Sequence, residues 1–187
     1  MPKPLIFETM GNVELLSQNK LAIFSSRKTP QAIYPSAKAL FKILVQMPLS
    51  LAGGWQAPIE KKLLNEFAQN PTTAHFIYYL AKDITTFRPN PLQEALIKEN
   101  RMLAIAPDLS QDRPTSKQVD ARDQLLFEQV PKTLFLFIEA GGRLEKYLVG
   151  LSARKYPLYI LDHPLNEKYF SEDIIPVNED NAALLLT

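Results

Sequence analysis

The stretch Leu21-Ala-Ile-Phe-Ser-Ser-Arg-Lys-Thr-Pro30 joins a short apolar run to an abrupt polar ending. Four apolar residues without alternation are typical of a strand that is covered on both faces, as in the centre of a parallel sheet. Two hydroxyl groups and two cations follow, on Ser25, Ser26, Arg27 and Lys28. Ligands of open α/β sheets bind outside the carboxyl ends of strands, where the next helix offers free N–H groups. This loop therefore suits a phosphate, although a solvated turn with surface cations fits the same residues.

The composition limits the classes of protein to consider. The chain has 187 residues, of which 46% are hydrophobic and 22% are charged, which is the usual globular mixture. We expect one domain over residues 1–187, with a lead-in at 1–19 and a C-terminal tail at 165–187. The 21 Lys and Arg residues nearly balance the 20 Asp and Glu residues, so any nucleic-acid-binding patch must be local.

The cysteine and histidine counts argue against several kinds of site. The chain has no cysteine, which excludes disulfides, thiolate metal sites and cysteine nucleophiles. With only His75 and His163, a histidine-based metal centre is poorly supported, and we predict neither a metal nor a cofactor. The sequence shows no leader pattern and no apolar run of about 20 residues, so we expect a cytoplasmic protein.

Strand patterns and helix patterns alternate along most of the chain. This alternation favours right-handed βαβ crossovers and an α/β fold with a doubly wound, mostly parallel, Rossmann-like sheet. The polar loop at 107–117 is interpreted as an ordered functional loop or a lid. The predicted strands cover residues 21–24, 48–52, 74–81, 101–107, 133–138 and 156–161, the last strand. The predicted helices cover 31–47, 59–67, 91–98 with Asn90 as N-cap, 118–129 and 144–153, and 181–186 is a further short candidate.

Three loops at the ends of predicted strands carry polar residues or glycines. They are the loop 25–28, the pair Gly53-Gly54, and the loop 139–143, which contains Gly141 and Gly142. In a parallel sheet such ends lie on one edge, so the loops can converge on one site. A glycine pair lets the backbone approach a ligand closely, but it is also common in tight turns. Convergence is therefore the main argument for a site.

Familiar catalytic and nucleotide-binding motifs are missing from the sequence. There is no G-x-G-x-x-G in the first turn, no P-loop lysine and no G-x-S-x-G elbow. His163 has no identifiable catalytic partner and is interpreted as a turn residue after a strand, and His75 as a structural residue at the start of one. Trp55 follows the glycine pair, where it could stack on a base or lie buried under the next helix.

Several stretches together resemble the DNA-processing protein A family (DprA, also called Smf). They follow the family's order over roughly residues 11–164. The first three match the family's lead-in, its first strand with a Gly-Ser-Arg loop, and the strand before its Tyr-Pro segment. The other three match its Arg-Asn-Arg-Ile-Ile helix, its Val-Glu-Ala-Gly motif and its final strand. Ser25 stands in the glycine position of the loop. The matching stretches are residues 11–16, 20–27, 103–108, 122–126, 137–141 and 157–161.

The resemblance implies an extended Rossmann-like core that binds single-stranded DNA, forms dimers and loads the recombinase RecA in DNA uptake or recombination, without an enzymatic reaction. Carried over by position, Ser26 and Arg27 would contact phosphate, Gly53 and Gly54 would line the pocket, and Arg122 would face it. A role as a binding module therefore follows from the resemblance.

The chain departs from the family's pattern at two places. The Ser-Gly-Xaa-Ala-Arg-Gly-Ile-Asp motif is reduced to Ser50-Leu-Ala-Gly-Gly-Trp55, so its arginine and aspartate are absent. Gln124 replaces the second arginine of the helix motif. Fewer cations predict a weaker affinity for DNA, because counterion release scales with the number of neutralised phosphates.

A second resemblance supports an alternative function. Ala140-Gly-Gly-Arg-Leu-Glu-Lys-Tyr147 loosely resembles the Pro-Gly-Gly-Xaa-Gly-Thr-Xaa-Glu-Glu motif of the LONELY GUY phosphoribohydrolases, which cleave a nucleoside monophosphate at its glycosidic bond. Only Glu145 matches an acid of that motif. We therefore prefer the binding module to the enzyme, and a sensor of a small nucleotide, which needs only the phosphate pocket, is a third hypothesis.

Overall fold

Strand β2 (Lys20–Ser25) contains the apolar run of residues 21–24. It is seen in a computed structural model of the protein, which describes residues 6–69, 74–107, 115–153 and 157–186. All four apolar residues of the run, 21–24, are buried. The strand pairs in parallel with β3 (Ser50–Gly53) on one side and with β6 (Thr133–Phe137) on the other. The run is therefore central in the sheet, as predicted.

All eight strands in the described residues belong to one sheet. Besides β2, β3 and β6, they are β1 (Phe7–Gly11), β4 (His75–Tyr79), β5 (Met102–Pro107), β7 (Leu158–Leu161) and β8 (Ile174–Val177). Their order is β1-β5-β4-β3-β2-β6-β7-β8, and β1 is antiparallel to β5 while the other pairs are parallel. The chain winds outward from β2 to β5 and then from β6 in the opposite direction. The topological switch point, where such sheets bind ligands, therefore lies between β2 and β6.

Helices cover both faces of this sheet. Each strand contributes to the core on both faces, because its successive side chains point to opposite sides. On one face, Leu21 and Ile23 pack in the core under the first three helices, and on the other, Ala22 and Phe24 pack under the last two. This burial on both faces confirms the α/β, doubly wound, mostly parallel fold. The helices are α1 (Ile33–Leu44), α2 (Pro58–Ala68), α3 (Pro91–Lys98), α4 (Ser116–Gln129) and α5 (Arg143–Ser152).

Side-chain caps fix where two of the helices begin. Asn90 accepts a hydrogen bond from the Gln93 N–H at 2.9 Å, so α3 begins at the predicted position. Thr115 does the same for Gln118 at 3.3 Å, and α4 therefore begins two residues before the predicted start. Most of the polar loop predicted at 107–117 lies outside the described residues. Within the described part of the chain, no helix is long and apolar enough to cross a membrane.

Regular elements form at both ends of the chain, including the short helix predicted at 181–186, whereas the strand β8 was not predicted. The lead-in forms β1 and a 3-10 helix at Val13–Ser17. The strand at 156–161 is not the last one, because the tail adds β8 parallel to β7, followed by a 3-10 helix at Ala182–Leu186. Pro176 lies inside β8, and proline is tolerated there because β8 is an edge strand with one neighbour. Because of this proline, the sequence pattern does not predict a strand here. The tail nevertheless forms part of the sheet.

Candidate functional site

The switch point opens into a cavity of about 670 Å³ at the carboxyl edge of the sheet. Residues that follow β2, β3, β4 and β6 line it, together with side chains from α2, α4 and the start of α5. The three predicted loops therefore meet at one cavity, and α4 adds the arginine that was expected to face it. Six of the predicted site residues lie in its wall: Ser25, Ser26, Arg27, Gly54, Arg122 and Gly142.

Three other predicted site residues do not line the cavity. Lys28 points into solvent with 83% of its side chain exposed, and its Nζ lies 3.5 Å from a carboxylate oxygen of Glu139. Gly53 is buried, and a Cβ at this position would lie 3.1 Å from a backbone oxygen of β2. Gly141 has a φ of +73°, and its N–H donates to Glu145 at 2.7 Å. These residues shape the loops around the cavity instead of facing it.

The two serines after β2 use their hydroxyl groups to hold the loop. The Oγ of Ser25 lies 2.7 Å from the hydroxyl of Thr29, which in turn donates to the Ser26 carbonyl. The Oγ of Ser26 accepts a hydrogen bond from the Glu139 N–H at 2.8 Å. These bonds attach the loop after β2 to the loop after β6. The hydroxyl proton of Ser26 is left to donate to a ligand in the cavity.

Gly54 makes room for a buried arginine. A Cβ at Gly54 would lie 2.7 Å from both Cζ and Nη1 of Arg122, closer than a Cβ can stand to another heavy atom. The Arg122 side chain comes from α4 and is 5% exposed. Close packing of a guanidinium on the backbone, rather than a tight turn alone, therefore explains this glycine.

Asp123 holds two arginines at the cavity. Its carboxylate is fully buried and accepts a hydrogen bond from Nε of Arg122 at 2.7 Å. Its other oxygen lies 3.2 Å from Nη2 of Arg143, which is half-exposed at the start of α5. Burial raises the pKa of Asp123, and the two nearby guanidinium groups oppose that rise. The buried ion pair fixes where both guanidinium groups can reach.

Glu60 was not predicted, yet it is a buried charge in the cavity wall. Its Oε1 accepts a hydrogen bond from the Ser25 N–H at 2.7 Å, and its Oε2 accepts from the N–H groups of Gln56 at 2.8 Å and Ala57 at 3.1 Å. Burial raises the pKa of Glu60 to about 7, although these three bonds and the charge of Arg122 act in the opposite direction. The carboxylate thus joins the end of β2 to the start of α2.

Trp55 and the two histidines have structural roles in the fold. Trp55 is 1% exposed and its Nε1 donates to the Ile77 carbonyl at 3.0 Å, so of the two predicted alternatives the buried one is correct. His163 accepts the Leu165 N–H on Nδ1 at 3.2 Å and starts a 3-10 helix after β7. His75 opens β4, as predicted. None of these three side chains lines the cavity.

Other lining residues that the sequence analysis missed carry identifiable signals. Glu139 and Arg143 lie inside the loop 139–143, of which only the glycines were selected. Lys82 follows the end of β4, and the rule that loops converge at the carboxyl edge applies to that strand too. Glu60 is the third residue of α2, where an acid can reach back to the free N–H groups of a helix start. Their positions after strands or at a helix start are therefore the signals that point to the cavity.

The balance of charge in the cavity favours an anion. Four cations line it against two carboxylates, Glu60 and Glu139, with Asp123 behind the wall. Within the described ranges, no three His, Cys, Asp or Glu side chains are grouped so that they could hold a metal ion. What the arrangement can do is bind a negatively charged group. The cations are Arg27, Lys82, Arg122 and Arg143.

Comparison with solved structures relates this fold to DNA processing protein A. No protein-family model matches the chain, and no curated protein matches it. The X-ray structure of DprA from Streptococcus pneumoniae aligns with a TM-score of 0.79 at 15% sequence identity, over 95% of this chain and 65% of that chain. DprA from Helicobacter pylori, whose structure is described for its unique single-stranded DNA binding mode, aligns with a TM-score of 0.78 at 15% identity, over 100% of this chain and 89% of that chain.

These similarities establish a DprA-like Rossmann fold. The chain spans 65% of the S. pneumoniae structure, and this similarity shows the fold alone. The resemblance to the LONELY GUY enzymes stays a prediction.

Proposed function

We propose that this protein is a DprA-like nucleic-acid-binding protein whose cavity binds the phosphates of single-stranded DNA. The observation that carries the proposal is the meeting of four cations from separate elements in one cavity at the switch point. The DprA-like fold supports it, since one of the solved DprA structures is described for its binding of single-stranded DNA.

The cations lie at two depths, which gives them different tasks. Arg122 is buried and paired with Asp123, so it forms a fixed positive floor. Arg27 is exposed at the rim, and 46% of the Arg143 side chain is exposed. Arginine can donate two parallel hydrogen bonds to a phosphate, and the exposed Arg27 can adjust to a passing backbone while Asp123 anchors Arg143. A flexible strand would therefore be held mainly at the rim.

The finer features of this function come from the family resemblance. We include in the proposal a role in DNA uptake or recombination in the cytoplasm, a RecA-type recombinase as partner, and a homodimer as the assembly. Light scattering at several protein concentrations tests the dimer, and co-elution with a RecA-type protein tests the partner. The proposal that the cavity binds phosphates does not depend on either result.

A small nucleotide is the second candidate ligand, and the size of the cavity favours it. About 670 Å³ falls in the range of about 300–1,000 Å³ that is typical of small-molecule sites. A sensor of a nucleotide would use the same cations for one phosphate group. A LONELY GUY-like reaction gains no comparable support, because Glu145 is occupied by the Gly141 N–H and the Tyr169 hydroxyl, at 2.7 and 2.8 Å.

The deciding experiment is the binding of a labelled single-stranded oligonucleotide across a salt series. In the variant Arg27→Gln with Lys82→Gln we expect the affinity to fall at least about tenfold and the salt slope to become shallower by about 0.7 for each lost phosphate contact. The matched control is Lys42→Gln with Lys98→Gln, which removes the same charge from the last turns of α1 and α3, at the opposite edge of the sheet. Equal losses in both variants would mean that the cavity is not the binding site.

Competition by nucleoside monophosphates separates the two candidate ligands. An oligonucleotide that binds with a salt slope, and that mononucleotides displace only weakly, supports the DNA-binding function. Saturable binding of one mononucleotide without oligonucleotide binding would replace it with the sensor, and release of a free base would replace it with the enzyme.

A further inference from the structure

Three backbone N–H groups point at one position in the wall of the cavity. They belong to Ser25 at the end of β2 and to Gln56 and Ala57 before α2. In α/β sheets, such groups at the end of a strand and the start of a helix can receive the anion of a ligand. Here the Glu60 carboxylate already receives all three hydrogen bonds.

We propose that Glu60 is a built-in anion that closes the inner anion position of the cavity, so that ligand phosphates bind to the side-chain cations outside it with an affinity set by the charge on Glu60. This inference rests on the proposed function, because it describes how the same cavity takes its phosphate. It makes Glu60 the residue that controls affinity, although it does not itself contact the ligand.

The geometry makes it unfavourable for a ligand to displace Glu60. Glu60 is 4% exposed and belongs to the first turn of α2, the same helix start that its carboxylate caps. Moving it would leave three N–H groups without their partner, and a buried unpaired donor is costly. The negative charge of the carboxylate would also repel an incoming phosphate. Binding on Arg27, Lys82 and Arg143, which lie in the wall around it, avoids both costs.

The charge of Glu60 changes near neutral pH. Burial raises its pKa to about 7, against the influence of the three N–H groups and Arg122. Below that pH the neutral form leaves the cavity more positive, and above it the carboxylate weakens every phosphate contact nearby. The charged groups around it are Arg27 after β2, Lys82 after β4, Arg122 of α4, Glu139 after β6 and Arg143 of α5, with Asp123 behind Arg122.

The test measures oligonucleotide affinity at pH ~6 and ~8, because a phosphodiester does not titrate in this range whereas a terminal phosphate does. The probe is therefore a single-stranded oligonucleotide without terminal phosphates. We expect the unmodified protein to bind it about tenfold more tightly at the lower pH, which is the scale of one unit charge several ångströms away at intermediate dielectric. Glu60→Gln should bind tightly at both pH values.

A histidine control removes the main competing explanation. His163 also lies beyond the carboxyl end of a strand, and histidine is the residue type most often responsible for a pH dependence near neutrality. His163→Asn keeps an N-cap acceptor for the Leu165 N–H but cannot take up a proton. This variant should show the same pH dependence as the unmodified protein. If Glu60→Gln does not fold, comparing the unmodified protein with His163→Asn still decides whether the affinity depends on pH without His163.

Inorganic sulfate provides a second probe, since it keeps its charge over this range, and its stabilisation of the protein against heat should follow the same trend with pH. Binding of either probe with no pH dependence would overturn this inference and leave the proposed function standing. A dependence that survives in Glu60→Gln would assign the titration to Asp123 or another group and would also overturn it. If no variant binds either probe at either pH, the proposed function and this inference both fail.

Discussion

Gly54 shows how a missing side chain can fix the position of another residue. The guanidinium of Arg122 lies where a Cβ of Gly54 would stand, at 2.7 Å. For Gly54→Ala we expect Arg122 to be pushed out of its place, with a loss of about 1–3 kcal/mol of unfolding free energy from overpacking. Because Arg122 would no longer form the floor of the cavity, oligonucleotide affinity should also fall. Urea denaturation and anisotropy titrations of the same preparation measure the two effects.

The matched control for this substitution is Gly150→Ala. Gly150 lies inside α5, and a Cβ there would have no atom within 4 Å. We expect this variant to gain about 0.5–1 kcal/mol, because alanine is the better helix former, and to keep its affinity. If Gly54→Ala behaved like Gly150→Ala, the close packing of Arg122 on Gly54 would not matter for the site.

The sequence predicts which residues lie at the cavity better than it predicts what each of them does there. Arg27 and Ser26 were placed at the cavity because they follow a recognisable buried strand. Gly53 and Gly54 look equivalent in the sequence, but one packs beside β2 and the other makes room for Arg122. That difference depends on a helix about 70 positions later in the chain, so no local pattern can contain it.

At the scale of the element, α4 carries a buried ion pair that tests how stability and binding are separated. Asp123 is fully buried and forms ion pairs with two arginines, the buried Arg122 and the half-exposed Arg143. For Asp123→Ala we expect a loss of about 3–5 kcal/mol, because Arg122 would remain buried without its partner. Asp120→Ala, on the exposed side of the same helix, should change stability by less than about 1 kcal/mol.

Removing both charges together distinguishes the two roles of this pair. Arg122→Met with Asp123→Leu should recover most of the stability lost in Asp123→Ala, since apolar residues of similar volume can replace a buried ion pair. The same double variant should bind oligonucleotide more weakly, because the cation at the floor of the cavity is gone. Chemical denaturation and anisotropy titration measure the two quantities, and a double variant that binds normally would show that Arg122 only supports the fold.

Elements are predictable from this sequence where they are long or centrally buried. The strands β2 and β6 and the helices α2 and α3 lie within a few residues of their predicted positions, because apolar runs and caps mark them. The strands at the two edges, β1 and β8, are poorly marked, because an edge strand is only partly covered and carries polar residues or a proline. The place of β1 in the sheet also depends on pairing with β5, more than 90 positions later in the chain.

For the whole molecule, the arrangement of strands explains why the site could be located before its members were known. Alternating strands and helices imply a parallel sheet, and a parallel sheet brings all its carboxyl ends to one edge. The cavity lies there, between elements that are separated by more than 100 positions in the chain. The position of Glu60 as the third residue of α2 indicates a helix cap, but its burial against N–H groups from the end of β2 and the start of α2 is not visible in the sequence.

We expect Glu60 to contribute to the pH dependence of the free energy of unfolding. The pKa of this carboxyl is raised to about 7 in the folded state from an ordinary value of 4.5, so the folded state binds the extra proton between these two pH values. Its contribution to stability is therefore present at low pH and is lost as the pH rises towards and through 7. Glu66, Asp83 and Glu145 have lowered pKa values and act with the opposite sign, below this range.

A difference measurement isolates the contribution of Glu60 from that of His75, whose pKa is lowered by burial and by Arg101 and whose titration opposes it. Between pH ~5 and ~8, the unfolding free energy of the unmodified protein should fall by about 2 kcal/mol relative to Glu60→Gln, in which the group no longer titrates. Glu94→Gln, an exposed substitution of the same kind on α3, should instead follow the unmodified protein in parallel. Urea unfolding of the three proteins at several pH values measures this change. A constant difference between the unmodified protein and Glu60→Gln would mean that the buried carboxyl keeps one charge state throughout the range. That result would also remove the basis for a pH-dependent cavity.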